Sequence, residues 1–99
     1  MIEIKISDPV YQFLSGIFHQ DIESPESALE EYLDEVSKKE QEDDVIALTE
    51  FMNSPYSEED KNDFIEEAAD GVDFLSYEVS PLIWLKQVTQ KIENNIKAL

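Results

Sequence analysis

Apolar positions recur along this chain at two different periods, and the period assigns each stretch to an element. Ile2, Ile4 and Ile6 alternate with Glu3 and Lys5, the pattern of a short strand with one buried face. From Pro9 to about Gln20 the spacing changes. Val10, Phe13, Leu14, Ile17 and Phe18 fall at i, i+3, i+4, i+7 and i+8, one stripe of an amphipathic helix. A second stripe, Leu29, Tyr32, Leu33 and Val36, follows Pro25. It is lost in the charged run from Lys38 to Asp44 and resumes with Val45, Ile46, Leu48, Phe51 and Met52. Either one long helix crosses solvent there, or two helices meet near Asp43. Phe64, Ile65, Ala68 and Ala69 form the inner face of a helix from Glu58 to Asp70, with Gly71 placed for a left-handed cap. Leu75, Tyr77 and Val79 alternate within the segment from Val72 to Val79, which reads as a second strand or as a loop. The last helix, from Pro81, carries Leu82, Leu85, Val88, Ile92, Ile96 and Leu99 at roughly heptad spacing, suited to core packing or to a second copy of itself.

Helix starts are marked independently of this pattern. A capping residue precedes proline at Asp8-Pro9, Ser24-Pro25 and Ser80-Pro81, and proline is tolerated at a first helical position because its missing N–H has no intrahelical partner there. Ser57 stands before Glu58, Glu59 and Asp60, acids that suit the positive end of a helix dipole. The expected fold is therefore mainly α with an α+β start. It has four or five helices, one or two short strands and an N-terminal strand-helix-helix. With 99 residues and only Gly16 and Gly71 as glycines, residues 1–99 read as one domain. The apolar fraction of 41% is enough for a packed interior.

Charge changes the picture more than any motif. There are 24 acidic residues against 7 basic ones, a net charge of −17, and all seven basic residues are lysine. Arginine is the usual bidentate reader of guanine edges and clamp of phosphates, so its absence removes a main tool of nucleic-acid recognition. A field this negative repels DNA, RNA and anionic lipid while speeding association with a basic surface. The field is uneven: residues 1–80 hold 23 acids and 4 lysines, whereas residues 81–99 hold Glu93 against Lys86, Lys91 and Lys97. The chain has no cysteine, which excludes thiolate chemistry and disulfides and fits a cytoplasmic protein. Neither a leader nor a membrane segment is expected, since the longest apolar run is Leu82 to Leu85.

Roughly the first 45 residues resemble a ribbon-helix-helix protein, the family of small dimeric repressors and antitoxins. The resemblance lies in the strand Ile2-Glu3-Ile4-Lys5-Ile6 and the capped helices at Asp8-Pro9 and Ser24-Pro25. It implies a homodimer whose paired strands enter the major groove, with Glu3 and Lys5 facing bases and the amides near Ser24 to Ser27 facing a phosphate. Glu23 and Glu26 put negative charge at that phosphate position, and the connection His19-Gln20-Asp21-Ile22-Glu23 lacks the glycine usual in the family's tight turn. This gives the second functional reading, a dimeric DNA-binding transcriptional regulator.

The first reading rests on acids grouped at helical spacing: Glu30, Glu31, Asp34 and Glu35; Glu40, Glu42, Asp43 and Asp44; and Glu58, Glu59, Asp60, Asp63, Glu66, Glu67 and Asp70. Lys38, Lys39 and Lys61 are too few to neutralise them, so these faces repel themselves and call for a cationic partner. Rows of carboxylates at helix pitch imitate a phosphate array, as in DNA mimics, antitoxins and immunity proteins. The chain is accordingly expected to be an acidic inhibitor that covers the basic nucleic-acid-binding or catalytic surface of a toxin, nuclease or defence enzyme. Glu30, Glu31, Asp34, Glu35, Glu58, Glu59, Asp63, Glu66, Glu67 and Asp70 are its expected contacts. Catalysis, a metal and a cofactor are not expected. No carboxylate pair is singled out, the sole histidine, His19, suits a surface or helix-capping role, and Asp60-Lys61-Asn62-Asp63 lacks the glycine and terminal glutamate of a calcium loop. Phe51, Tyr56, Phe74, Tyr77 and Trp84 are more aromatics than a small core needs, so one or more is a candidate surface anchor beside the acids.

Overall fold

The computed structural model describes residues 8–99. They form six helices: α1 (Pro9–Ile17), α2 (Pro25–Glu35), α3 (Lys38–Met52), α4 (Glu58–Ala68), α5 (Phe74–Tyr77) and α6 (Pro81–Ala98). Every start has a side-chain cap. Asp8 accepts from the Val10 amide at 2.8 Å, Ser24 from Ser27 at 3.1 Å and Ser57 from Asp60 at 3.1 Å. Ser80 accepts from Ile83 at 3.3 Å, and the Asn62 side-chain oxygen, reaching across from α4, takes the Leu82 amide at 2.9 Å. One α6 start thus has two acceptors for its orphan amides.

Two of these starts correct the sequence reading. The charged run from Lys38 to Asp44 is helical throughout, and the chain breaks before it, at Val36 and Ser37. Ser37 accepts from the Glu40 amide at 3.2 Å, so the junction is a serine cap and not a meeting near Asp43. The segment expected as a second strand holds α5 instead, capped by Asp73 on the Leu75 amide at 3.2 Å. Leu75 is 92% exposed while Tyr77 and Val79 pack partly against the core, so the three alternating residues do not share one buried face. The described residues are all-α with six helices and contain no strand, which overturns the α+β class and the count of four or five helices. The strand expected over Ile2 to Ile6 lies outside the described residues.

Helix α6 lies along α3 and α4, α1 packs on the same two helices, and α2 bridges α1 and α6. The apolar stripes meet in one cluster: Leu14 and Phe18 from the α1 region, Leu48 from α3, Ile65 from α4, and Leu85 and Ile92 from α6 are fully buried. Each such side chain contributes about 1.5–3 kcal/mol by leaving water. Ring edges fix the contacts, with Phe18 on Trp84 at 4.9 Å, Phe13 on Tyr32 at 5.3 Å and Phe74 on Trp84 at 5.2 Å between centroids. The heptad positions of α6 are thereby used by the chain's own core, except Leu99, which is exposed.

Polar groups inside this core are all partnered among the described residues. Gln41, the inward residue of the charged run, has 0% exposure. Its side-chain amide donates to the carbonyl oxygens of Val36 (2.8 Å) and Leu33 (3.2 Å), while its own oxygen accepts from Asn95 at 2.9 Å. One side chain therefore joins the end of α2 to α3 and α6. Lys61, 7% exposed, likewise turns inward and donates to the Met52 carbonyl oxygen at 2.7 Å, closing the end of α3.

Gly71 differs from its expected role. Neither glycine has a positive φ, and the left-handed residue of the region is Glu78 (φ 55°), which ends α5. Gly71 is instead where two backbones touch: its amide donates to the Phe18 carbonyl oxygen at 2.8 Å, and a Cβ there would overlap His19.

Candidate acidic interface

The acids expected as contacts stand on two helices that do not pack on each other. On α2, Ala28, Leu29 and Tyr32 face inward and leave Glu30, Glu31, Asp34 and Glu35 exposed. On α4, Lys61, Phe64, Ile65 and Ala68 face inward and leave Glu58, Glu59, Asp63, Glu66 and Glu67 exposed, with Asp70 exposed just beyond the helix end. Glu59, Asp63, Glu66 and Asp70 run at i, i+4, i+7 and i+11, a single stripe opposite the core.

What connects the two faces is the α1–α2 connection, which sequence reasoning passed over as a site. His19 and Asp21 line two neighbouring grooves at once. The wider, about 490 Å³, lies between the end of α1 and α2; Ile17, Ile22 and Val36 form its apolar part, and Asp21, Glu23, Glu31 and Glu35 its acidic part. The second, about 320 Å³, lies between α1 and the end of α4, with Tyr11, Ser15, Glu67 and Asp70 in its walls. No lysine is among the described residues lining either groove. The result is an acidic band from α2 through Asp21 to α4. Of the expected contacts, Glu31, Glu35, Glu67 and Asp70 come together on it. Glu30 faces another groove beside Lys91, and Glu58, Glu59, Asp34, Asp63 and Glu66 lie outside both acidic grooves.

The connection is held in place. Phe18 accepts from Gly71, the Gln20 side-chain amide donates to the Asp70 carboxylate, and His19 Nδ1 accepts from the Asp21 amide at 3.2 Å. His19 is exposed and serves its own turn, in keeping with a surface role.

The groove wall at Tyr32 is tied to α3, where its hydroxyl donates to Asp44 at 2.6 Å. Burial holds the Asp44 carboxyl above the ordinary carboxylate range; the Tyr32 bond opposes this, and Glu40 and Asp43 add to it. Burial and the same carboxylate push the Tyr32 phenol up. A carboxyl whose folded value is raised takes up its proton more readily folded than unfolded. Its contribution to stability is thus greatest below the ordinary range near ~4 and is lost as pH rises through the folded value. Asp44→Asn keeps an acceptor for Tyr32 without the charge. Its melting temperature at pH 7 is expected to exceed the native one, and its pH dependence down to the carboxylate range to be shallower. Parallel melting curves against pH would show that Asp44 is not the titrating group.

At the opposite edge of α2, Tyr77 donates to Glu26 at 2.7 Å, which holds that carboxyl below the ordinary range, while burial followed by Glu26 pushes the Tyr77 phenol up to about 12. This bond fastens α5 to the start of α2. It also occupies the place that the ribbon-helix-helix reading assigned to a phosphate: the Ser27 amide is bonded to Ser24, and Glu26 is an acceptor beside it. Of the aromatics considered as anchors, Trp84 is buried, Phe51, Phe74 and Tyr77 are half-buried, and Tyr56, just before the Ser57 cap of α4, is exposed.

Among the described residues no group of three or more histidine, aspartate or glutamate side chains is placed to hold a metal ion, and no helix is long and apolar enough to cross a membrane.

Comparison with known proteins gives one assignment. Residues 9–92 match a family model described as CdiI immunity protein. No curated protein and no solved structure matches the chain. The match replaces the ribbon-helix-helix resemblance, and with it the reading as a DNA-binding regulator.

Proposed function

The chain belongs to the CdiI immunity protein family, an inhibitor that binds a toxin partner, and from that premise we propose that it neutralises its toxin by laying the acidic band over a basic nucleic-acid-binding or catalytic surface. The observation that supports this is the convergence of Glu31 and Glu35 from α2, Asp21 and Glu23 from the connection, and Glu67 and Asp70 from the end of α4 on two adjoining grooves with no lysine among the described residues lining them. Their mutual repulsion is relieved when cationic side chains enter, so part of the binding energy comes from removing strain in the free protein. The outer α4 stripe, Glu59, Asp63 and Glu66, extends the negative field beyond the grooves and steers the encounter.

Inhibition on this reading is occlusion. It needs no catalytic group, metal or cofactor, and residues 1–99 act as one cytoplasmic domain. Homodimerisation would require surfaces other than the buried heptad positions of α6. Size measurement of the free protein at two concentrations decides that point.

The direct test replaces Asp21, Glu31, Glu35 and Glu67, all exposed members of the band, together by glutamine. With the toxin identified by capture from the host and then purified, association is expected to slow by about tenfold or more at low ionic strength, and to depend less on salt. Unchanged association and unchanged salt dependence would mean that the charge serves solubility.

A further inference from the structure

We propose that the wider groove, between the end of α1 and α2, is the recognition subsite of this immunity protein. One lysine- or arginine-bearing segment of the toxin enters it, with side-chain methylenes on Ile17, Ile22 and Val36 and charged heads at Asp21, Glu31 and Glu35. The proposal rests on the reading that the toxin surface is basic, and it separates two tasks that reading leaves together. A convex helical stripe such as the outer face of α4 ranks partners by charge alone. A groove with an apolar part and an acidic part also ranks them by shape.

The composition of the groove selects its occupant. Lysine and arginine carry apolar stems beneath a charged head, which matches apolar side chains flanked by carboxylates. An uncharged apolar segment would cover those carboxylates without supplying partners, a costly desolvation. A phosphate-bearing ligand meets like charge. A single metal ion is a poor fit as well, because the carboxylates are not gathered closely enough to share one. They are spread along the groove, as suits several cationic heads on one segment. The volume of about 490 Å³ lies within the range of ~300–1,000 Å³ typical of ligand sites.

Its walls are also fixed before binding. Tyr32 is bonded to Asp44, the end of α2 to Gln41, and the connection carrying Asp21 to Gly71 and Asp70. A preformed groove loses little conformational freedom when filled, which favours slow release.

Gly16 makes the proposal testable. It lies on α1 at the edge of the groove, and a Cβ built there meets no atom within 4 Å. Gly16→Lys places a competing cation in the groove, and Gly16→Leu places bulk there without charge. Both replace a helical glycine by better helix formers, so circular dichroism and melting temperature are expected at or above the native values. Against the purified toxin, both variants are expected to dissociate about tenfold faster or more. Native dissociation by either folded variant overturns the groove assignment, and an effect of the lysine variant alone points to the general field and overturns it too. The acidic-band reading is judged separately: it stands if the fourfold glutamine variant still slows association, and it falls with the groove if that variant also behaves as native.

Discussion

Gly71→Ala is expected to destabilise the protein by about 3 kcal/mol or more, because the added methyl group has nowhere to go. It would overlap the His19 carbonyl oxygen and lie 2.6 Å from the carbonyl carbon. Both atoms are backbone, so no side chain can rotate aside. Relief requires the segment after α4 to withdraw from the segment after α1, and that movement also breaks the bond from the Gly71 amide to Phe18. Phe18 is fully buried against Trp84, so the disturbance reaches the centre of the core. A fall in melting temperature of roughly 15 °C corresponds to this loss in a domain of this size. Gly16→Ala is the counterpart and carries the opposite sign. Its methyl group meets nothing, and replacing a helical glycine is worth roughly 0.5–1 kcal/mol in stability. Thermal melts of the two variants beside the native chain check both. An alanine at position 71 that melts within a few degrees of native would mean that the two connections do not touch as described.

Substitution of Gln41 is expected to cost nearly as much. Gln41→Leu preserves size but strands the Val36 carbonyl oxygen and weakens the bonding of Leu33, which retains Asn95 at 3.4 Å. With the bond that Asn95 donates to Gln41, three bonds are lost in a buried setting, which corresponds to about 2–4 kcal/mol. Gln41→Glu differs by one atom and fails for another reason: an ionised carboxylate cannot donate, and it faces two carbonyl oxygens. Its carboxyl would be driven upward, so this variant should be least stable at neutral pH and recover on acidification, when the protonated acid again has a donor. The leucine variant has no such group and should show no such recovery. Denaturant unfolding of both at pH 7 and pH 5 separates the cases, and equal stability of the glutamate variant and the native chain at pH 7 would refute the clamp.

The helical part of the fold was legible where local chemistry and periodicity agreed. At Asp8-Pro9, Ser24-Pro25, Ser57 and Ser80-Pro81 a cap precedes an apolar stripe, and each begins a helix. The start at Ser37 carried the signature Ser37-Lys38-Lys39-Glu40, a hydroxyl followed three residues later by glutamate. It was hidden because the following residues look like a solvated run whose one inward member is polar. The error at α5 came from the opposite situation. Alternation over so short a stretch imitates a strand, and nothing local says that Leu75 faces water. Ile46 and Leu99 joined stripes on the sequence but are exposed, Ile46 in the middle of α3 and Leu99 after the end of α6.

The candidate site was legible by composition and not by arrangement. Charge alone pointed to an inhibitor with a toxin among its candidate partners, and the acids of α2 and α4 were recognisable from their spacing. That Asp21 and Glu23 join them was not, since it depends on Gly71 and Gln20 fastening the connection to the end of α4, some fifty residues away. Long-range backbone contact leaves no period in a sequence; the only trace is a glycine in a chain that has two.

The placement of the lysines has a practical consequence for measuring the complex. Among residues 8–99, Lys61 is sealed inside, while Lys38, Lys39, Lys86, Lys91 and Lys97 are exposed at the start of α3 and along α6. Within these residues, amine-directed coupling of a fluorophore, a biotin or a sensor surface is directed to these two places, and neither acidic groove contains a described lysine to be modified. Coupling at Lys86 and Lys97 on α6 therefore leaves the described lining of both grooves unmodified.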